Sequence, residues 1–376
     1  MSHERLKEID VLRALAFVFV VEQHTLGGGF DTAAQSNYYY YCIIKFFYTL
    51  AQPAVPIFLC ISGISIFYVY SKKFNIKKYY TKRIIYVYIP YIVWSIIYMY
   101  YHQNFNYLFM QLLSGASEYH LWYMGMILRL FIYVPIILWL SKKIHKQNII
   151  LRFLIFIIFM VSFYQLLKYN YLITHSTINF LFKSPTSLQE RFINITPLIW
   201  SGYFVIGIYI SLNYKKFKDI LLKLKYVIIT IYLSLFIYEY LLSLNIFTDK
   251  SFSNNIKILT WLSYCIFTIL FFYIVSISLS NKIKIYNVFN FISQYSYSAY
   301  MAHILVINYL VFSNINILNI KNYVVYRIVL WITVSLLTPF LIKLISYIPY
   351  THIITGVKTT KFNFQYNRYT KNTIEK

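Results

Sequence analysis

Residues 259–280 read LTWLSYCIFTILFFYIVSISLS, a run of 22 residues that contains no charged side chain. At about 1.5 Å per residue, an α-helix of this length spans roughly 33 Å, enough to cross the ~30 Å hydrocarbon core of a bilayer. Runs of similar character recur at 10–26, 46–70, 84–101, 121–140, 149–167, 197–212, 226–245, 298–312 and 323–348. The sequence therefore predicts an all-α, polytopic transmembrane helix bundle of about ten helices.

The composition is that of a protein whose main solvent is lipid. Hydrophobic residues fill 59% of the 376 positions and charged residues only 12%, whereas a soluble domain has about 25% charged residues. The net charge of +24 comes from short Lys and Arg clusters between the apolar runs, so nucleic acid is not an expected partner. Cys42, Cys60 and Cys265 are scattered and predict neither a metal site nor a disulfide framework.

The Lys and Arg residues also predict the orientation of the chain. If the N-terminus is cytoplasmic, 24 of the 35 Lys and Arg fall on the inner side and 7 in outer loops, as the positive-inside rule requires. Both termini and residues 71–83 are then cytoplasmic, whereas residues 102–120 and 168–196 face outside. We expect a membrane domain over 1–348, a basic cytoplasmic tail over 349–376, and a multi-pass protein of the cell (plasma) membrane surrounded by membrane lipids.

The first predicted helix carries ionisable groups, which are costly inside a membrane and mark either a site or a structural pair. Arg13 and His24 lie eleven residues apart, within about 20° of the same helix face, and Asp10 lies about 40° from His24. The plainer interpretations are an Asp10–Arg13 ion pair and a satisfied core histidine. Because a neutral imidazole takes a proton from a hydroxyl near neutral pH, we predict that His24 is a general base or acyl relay, with Asp10 and Arg13 behind it.

The ninth predicted helix carries a second polar face. Ser296, Tyr300 and His303 stand at i, i+4 and i+7 and therefore project from one side of the helix. One interpretation is a tyrosine and a histidine that satisfy each other inside the bundle. The other, which we adopt as a prediction, is that all three complete the catalytic chamber around His24.

The fourth predicted helix has polar and aromatic side chains at its outer end. His120, Trp122 and Tyr123 crowd the interface, where aromatic residues usually form a belt, and we predict them as substrate-binding candidates. Arg129 lies deeper and is expected to have a counter-ion or a bound anion, so we place it in the same group.

A basic segment, KKFNIKKYYTKR at 72–83, precedes the third predicted helix. Its cations suit topology and lipid head groups, and they suit a polyphosphorylated donor equally well, because Arg and Lys are the natural partners of phosphate. Lys82 and Arg83 are the donor-binding candidates.

Six segments, taken in chain order, resemble the membrane acyltransferase family 3. The first, RLKEIDVLRALAFVFVVEQH at 5–24, is similar to the family's opening, with Asp-x-x-Arg and a His eleven residues beyond the Arg. The others are VPIFLCISGISIFY at 55–68, with a Ser-Gly pair, TKRIIYVYIPYIVW at 81–94, HLWYMGMIL at 120–128, GYFVIGIYI at 202–210, with Phe-x-x-Gly, and FISQYSYSAYMAHILV at 291–306, with Ser-Tyr-x-x-Tyr-x-x-His. The general pattern looks close to the exopolysaccharide-modifying branch of O-acetyl and O-succinyl transferases.

The resemblance implies transfer of an acyl group, usually acetyl from acetyl-CoA, to a hydroxyl of a cell-envelope glycan or lipid-linked sugar. It implies no bound cofactor, since acyl-CoA is a donor substrate. On the same grounds His24 matches the family's essential histidine, Arg13 its first-helix arginine, and Arg83 the first arginine of a pair that serves CoA. The second arginine of that pair is Tyr86 here, which leaves Lys82 as a substitute. Ser62, from the Ser-Gly pair, joins the substrate-binding candidates.

The predicted function is therefore an integral membrane O-acyltransferase. The alternative is an exporter or flippase for a polysaccharide or lipid-linked sugar, which would use the same polar interior without an acyl donor. A third possibility is a membrane anchor that has lost its activity.

Overall fold

The computed structural model describes residues 5–27, 35, 37–70, 74–246, 254–312 and 320–357, and within these ranges it contains helices and turns but no strand. The α-helices are α1 (Lys7–Thr25), α2 (Tyr38–Ala51), α3 (Ala54–Tyr70), α4 (Ile76–Arg83), α5 (Ile89–Tyr101), α6 (Leu108–Ser114), α7 (Trp122–His145), α8 (Ile149–Lys168), α9 (Asn170–Leu181), α10 (Ser187–Asn194), α11 (Pro197–Leu212), α12 (Tyr214–Lys223), α13 (Lys225–Ser243), α14 (Asn254–Ser280), α15 (Ile283–Phe312), α16 (Tyr323–Ser346) and α17 (His352–Thr355). A π-helical turn, Ile84–Tyr88, joins α4 to α5, and a 3₁₀ turn, Tyr119–Leu121, leads into α7. Residues 358–376 of the predicted tail lie outside the described residues.

Eight helical segments in the described part of the chain are long and apolar enough to cross a membrane. They are Tyr38–Tyr70, Ile76–Tyr101, Tyr119–His145, Ile149–Lys168, Ser187–Leu212, Lys225–Ser243, Asn254–Ser280 and Tyr323–Ser346. The helices α1 and α15 are also long enough, with 19 and 30 residues, but their polar side chains lower their hydropathy. With these two, the described residues contain a long helical segment for each of the ten predicted runs, eight of which are apolar enough to be candidate spans. The all-α membrane fold is thus confirmed, whereas the cytoplasmic position of the termini stays a prediction.

Helix boundaries differ from the predicted runs where polar residues or proline intervene. Helix α15 begins at Ile283, well before the predicted start at 298, because its Asn, Gln and Ser residues lower the hydropathy without interrupting the helix. Residues 168–196, which are predicted to face outside, contain α9 and α10. The predicted run 46–70 corresponds to two helices, α2 and α3, and the apolar segment begins earlier, at Tyr38. Pro53 lies in the short break between them, because its ring removes a backbone hydrogen-bond donor.

Helices α3 and α11 cross in backbone contact. A Cβ atom on Gly63 would lie 2.2 Å from the carbonyl oxygen of Phe204, and one on Gly207 would lie 2.1 Å from that of Cys60. Only glycine fits at such distances, and close backbone approach is a principal source of helix association in a bilayer. The Ser-Gly pair and the Phe-x-x-Gly segment are therefore the two halves of one helix crossing.

Helix α1 lies at the centre of the bundle, against α3, α14, α15 and α16. Near its N-terminal end, the Asp10 carboxylate accepts hydrogen bonds from Arg5 at 2.6 Å and from the Tyr286 hydroxyl at 3.2 Å. Glu8 accepts a further hydrogen bond of 2.8 Å from the Tyr214 hydroxyl. Burial raises the pKa of Tyr214, so this hydroxyl stays protonated and continues to donate. These contacts fix the rotation of α1.

The other end of α1 is fixed as well. Arg327 of α16 donates a hydrogen bond of 3.0 Å to the backbone carbonyl of Thr25, and Gln23 donates one of 2.6 Å to the carbonyl of Ala51. Since His24 lies between Gln23 and Thr25, its position in the bundle is set from both sides.

Candidate active site

Three histidines from distant parts of the sequence meet near the C-terminal end of α1. The ring centroid of His303, on α15, lies 5.2 Å from that of His24 and 4.8 Å from that of His120. The rings of His24 and His120 are 6.1 Å apart. His120 and His303 are buried, whereas His24 is partly exposed. The structure therefore brings three of the predicted site residues together, and His24 is the least buried of the three.

The ring nitrogens of this histidine cluster (His24, His120 and His303) have few protein partners. Nδ1 of His303 lies 2.6 Å from the backbone carbonyl of Tyr300. Because a carbonyl only accepts, Nδ1 carries a proton, so a neutral His303 ring has its lone pair on Nε2. Nε2 of His303 and both ring nitrogens of His120 have no hydrogen-bond partner among the described residues. Within the same residues, no group of three or more His, Cys, Asp or Glu side chains is arranged to hold a metal ion.

Tyrosines surround the histidine cluster. The Tyr300 hydroxyl donates a hydrogen bond to the backbone carbonyl of His120, and the Tyr98 hydroxyl donates one of 2.7 Å to the carbonyl of Met301. The Tyr119 ring lies 5.1 Å from that of His24. These contacts hold the 3₁₀ turn that carries His120 against α15, so the relative position of two histidines depends on Tyr300.

A cavity of about 370 Å³, which we call the arginine cavity, opens beside the histidine cluster. Arg13, Arg83, Tyr86, Tyr123 and Tyr300 line it. Serines from α3 and α15 line it too, namely Ser62, Ser65, Ser293 and Ser296. The Tyr123 and Tyr300 rings are 5.7 Å apart, and the Tyr300 ring also lies 5.5 Å from that of His120. The two tyrosines thus form a wall shared by the cavity and the histidine cluster, which we call the tyrosine wall.

The charge in the cavity comes from two arginines held in different ways. Arg13 lies 3.5 Å from Oδ1 of Asp10 and donates hydrogen bonds to Ser293 at 3.4 Å and Ser65 at 3.2 Å. The Arg83 guanidinium lies 4.4 Å from the centre of the Phe131 ring. No acidic side chain within 4 Å pairs with Arg83 in the described part of the chain, so the cavity presents net positive charge.

The other donor-binding candidate is placed differently. Lys82 is exposed and does not line the cavity, although Arg83 beside it does. The backbone changes from α to π geometry directly after Arg83, and Tyr86 in this turn faces the cavity. Such π turns are frequent at functional sites, and a hydrophobicity pattern does not reveal them.

Arg129 does not line the cavity. Its Nη1 and Nη2 atoms donate to the carbonyls of Phe192 at 2.8 Å and Ile195 at 2.7 Å, and its Nε donates to that of Gly125 at 3.0 Å. Carbonyl groups at the C-terminal end of α10, which carry partial negative charge, thus stand where we expected a counter-ion or a bound anion. Trp122 also lies away from the cavity, with its ring 5.1 Å from that of Trp200.

A second arginine, which the sequence analysis did not identify, acts on the segment that carries His120. Arg191 donates to the carbonyl groups of Ser114 at 3.2 Å, Gly115 at 2.8 Å and Tyr119 at 3.0 Å. Glu118 contributes at the same place, accepting from His102 at 2.7 Å. The sequence offered one indication of this role: Arg191 is the one arginine in residues 168–196, a segment predicted to face outside and poor in positive charge.

The arrangement has the parts that an acyl transfer needs. A positively charged cavity can hold a phosphorylated donor, an aromatic wall separates it from imidazole groups, and a partly exposed imidazole can take a proton from a second substrate.

The comparison with protein families agrees with this chemistry. A family model described as an acyltransferase domain matches residues 6–356, nearly the whole chain. No match is found among curated proteins or among solved structures. The chain therefore belongs to acyltransferase family 3 and is a membrane acyltransferase.

Proposed function

We propose that this acyltransferase moves an acyl group, acetyl in the simplest case, from acyl-CoA to a hydroxyl of a cell-envelope or extracellular carbohydrate. The observation that carries the proposal is the tyrosine wall: Tyr123 and Tyr300 line the arginine cavity, and the Tyr300 ring also contacts the rings of His120 and His303. A donor bound on one side of the wall is then within reach of a base on the other.

The donor end is assigned to Arg13 and Arg83. Guanidinium groups bind phosphate with charge-assisted, often bidentate hydrogen bonds, and CoA is a polyphosphorylated carrier. Asp10, which lies 3.5 Å from Arg13, orients that guanidinium without lining the cavity itself. The carrier stays in the cavity, and only the small acyl end passes the tyrosine wall.

The acceptor end is assigned to the histidine cluster. His24 takes the proton of the attacking hydroxyl as its oxygen forms a bond to the acyl carbon. The bond from that carbon to sulfur breaks, and CoA leaves as the thiol after it receives the equivalent proton. His24 is the best candidate for the base because it is partly exposed, whereas His120 and His303 are buried and serve as its support.

The location follows from the same assignment. In this proposal the acceptor hydroxyl approaches from outside and the CoA donor approaches from the cytoplasm. The protein then lies in the plasma membrane, with residues 71–83 on the inner side. The acceptor is then an envelope glycan or a lipid-linked sugar.

The test is ester formation in membranes from cells that express the chain. Labelled acetyl-CoA should transfer label to envelope glycan as an alkali-labile ester, and deletion of the gene should remove that ester while glycan export continues. Loss of export together with unchanged ester on the exported material would favour the carrier instead.

A further inference from the structure

A second cavity, of about 260 Å³, lies between α7, α8 and α11. It shares no lining residue with the arginine cavity. Its wall is largely apolar and includes the stacked rings of Phe156 and Tyr209, whose centroids are 4.8 Å apart. A cavity with such a wall suits a hydrocarbon chain better than it suits a polar substrate.

One end of this cavity carries a positive charge. Arg152 and His145 line it, and Nη1 of Arg152 lies 3.2 Å from Nδ1 of His145. Nε of Arg152 is buried and has no hydrogen-bond partner among the described residues. Of the described residues that line the cavity, none is acidic. Among the described residues, the Arg152 guanidinium therefore has no acidic partner within 4 Å, although a cation in an apolar helix calls for one.

The cavity borders the lipid. Helix α8 is peripheral, and the side chains of Ile150 and Ile158 on it are 70% and 64% exposed. The charged end lies where α7 ends and α8 begins, beside Lys142, Lys143 and Lys146. By the positive-inside pattern this is the cytoplasmic face, whose leaflet holds anionic lipids that attract clustered Lys and Arg.

We propose that this cavity binds an anionic glycerophospholipid from the surrounding bilayer. The phosphate lies against the Arg152 guanidinium, which offers paired donors to phosphate oxygens, and part of one acyl chain fills the space against Phe156 and Tyr209. A free phosphate would leave the apolar wall unused. A zwitterionic head group carries a cation of its own, which Arg152 and the three nearby lysines would repel. An anionic head group is therefore the better fit.

The test measures lipid binding to the purified full-length protein, with no reference to transfer activity. The protein in detergent is stripped of lipid and titrated with phosphatidylglycerol, phosphatidylcholine or inorganic phosphate, and bound lipid is counted by native mass spectrometry. We expect phosphatidylglycerol to bind about tenfold more tightly than phosphatidylcholine. Arg152→Gln should remove about tenfold of that affinity, the usual effect of losing a charged hydrogen bond.

Two further variants make the result specific. Lys168→Gln, at the opposite end of α8, removes a cation that neither lines the cavity nor belongs to the cluster of three lysines, and it should leave binding unchanged. Phe156→Ala keeps every charge and should weaken binding by shortening the apolar contact, so the proposal can be tested even if Arg152→Gln fails to fold. The proposal is wrong if the protein binds the two lipids equally well. It is also wrong if both Arg152→Gln and Phe156→Ala bind phosphatidylglycerol as tightly as the unchanged protein, or if inorganic phosphate alone binds as tightly as the lipid.

Discussion

The Tyr300 hydroxyl donates a hydrogen bond to the backbone carbonyl of His120, a residue 180 positions away in the chain. The same tyrosine lines the arginine cavity. Tyr300 therefore has two roles in the proposed reaction: it fixes the histidine cluster, and it stands in the path that we propose for the acyl group of the donor.

Tyr300→Phe separates these roles, because it keeps the ring and removes the hydrogen bond. Loss of one buried hydrogen bond costs about 1 kcal/mol, so we expect kcat to fall roughly fivefold. The KM for acyl-CoA should not change, since Arg13 and Arg83 are untouched. Steady-state kinetics in membranes of measured protein content check this, with Tyr133→Phe, at an exposed position of α7, as the control. A rise in KM with unchanged kcat would contradict the assignment.

His24→Ala should abolish ester formation while leaving an inserted protein. A positioned general base contributes about 10²–10⁴-fold to a rate, so the residual activity should approach background. His24→Gln keeps a hydrogen-bonding side chain of similar size but no basic nitrogen, and it should be equally inactive. Ester formation and membrane abundance are measured for both. Substantial activity in His24→Gln would move the base to His120 or His303.

Arg83→Ala should raise the KM for acyl-CoA several-fold and change kcat less, because a phosphate contact contributes mainly uniform binding of the donor. Lys82→Ala is the matched control, since this neighbouring cation is exposed and does not line the cavity. Initial rates over a range of donor concentrations distinguish the two. Equal effects of both substitutions would assign the whole basic segment to topology and lipid head groups.

Gly207→Val should prevent folding of the bundle. The new side chain would meet the backbone of α3, where even a Cβ atom lies 2.1 Å from the Cys60 carbonyl oxygen, and overpacking against rigid backbone costs about 3 kcal/mol or more. Monodisperse protein recovered after detergent extraction should be greatly reduced. Leu198→Val, at an exposed position of α11, should be recovered normally. Normal recovery of Gly207→Val would show that α3 and α11 can move apart.

The orientation is tested by cysteine labelling in intact cells. In a background without Cys42, Cys60 and Cys265, single cysteines at 102–120 or 168–196 should react with a membrane-impermeant maleimide. Cysteines at 71–83 should react only after permeabilisation. The reverse pattern would place both termini outside and would exclude Arg83 from contact with cytoplasmic acyl-CoA.

The helix bundle was predictable because its signals are local. A bilayer sets the length of each apolar run, and the 100° turn of a helix fixes which side chains share a face. An ion pair of Asp10 and Arg13 on one turn was one of the two interpretations of these residues, and their atoms lie 3.5 Å apart. The polar start of α15 was missed because hydropathy records the cost of side chains in lipid, whereas Ser293, Ser296 and Ser298 in this part of the helix are buried in the protein.

The partners of the isolated arginines were not predictable. Arg129 donates to carbonyl groups more than sixty residues away, and a backbone carbonyl has no signature in the sequence. The difference between Lys82 and Arg83 has a similar origin, since it depends on which side of α4 meets α7. Such outcomes are decided by tertiary contacts, and one sequence reports them poorly.

Arg129 and Arg191 hold residues 192–195 and 114–119, respectively, through backbone carbonyl groups. A guanidinium stays protonated at any physiological pH, and a peptide carbonyl does not titrate. None of these five contacts around His120 therefore depends on a group that titrates in the physiological range. When the rate of this enzyme is followed against pH, a sigmoid or bell-shaped profile will report groups outside these five contacts, the imidazoles and the substrates among them, while the five contacts persist.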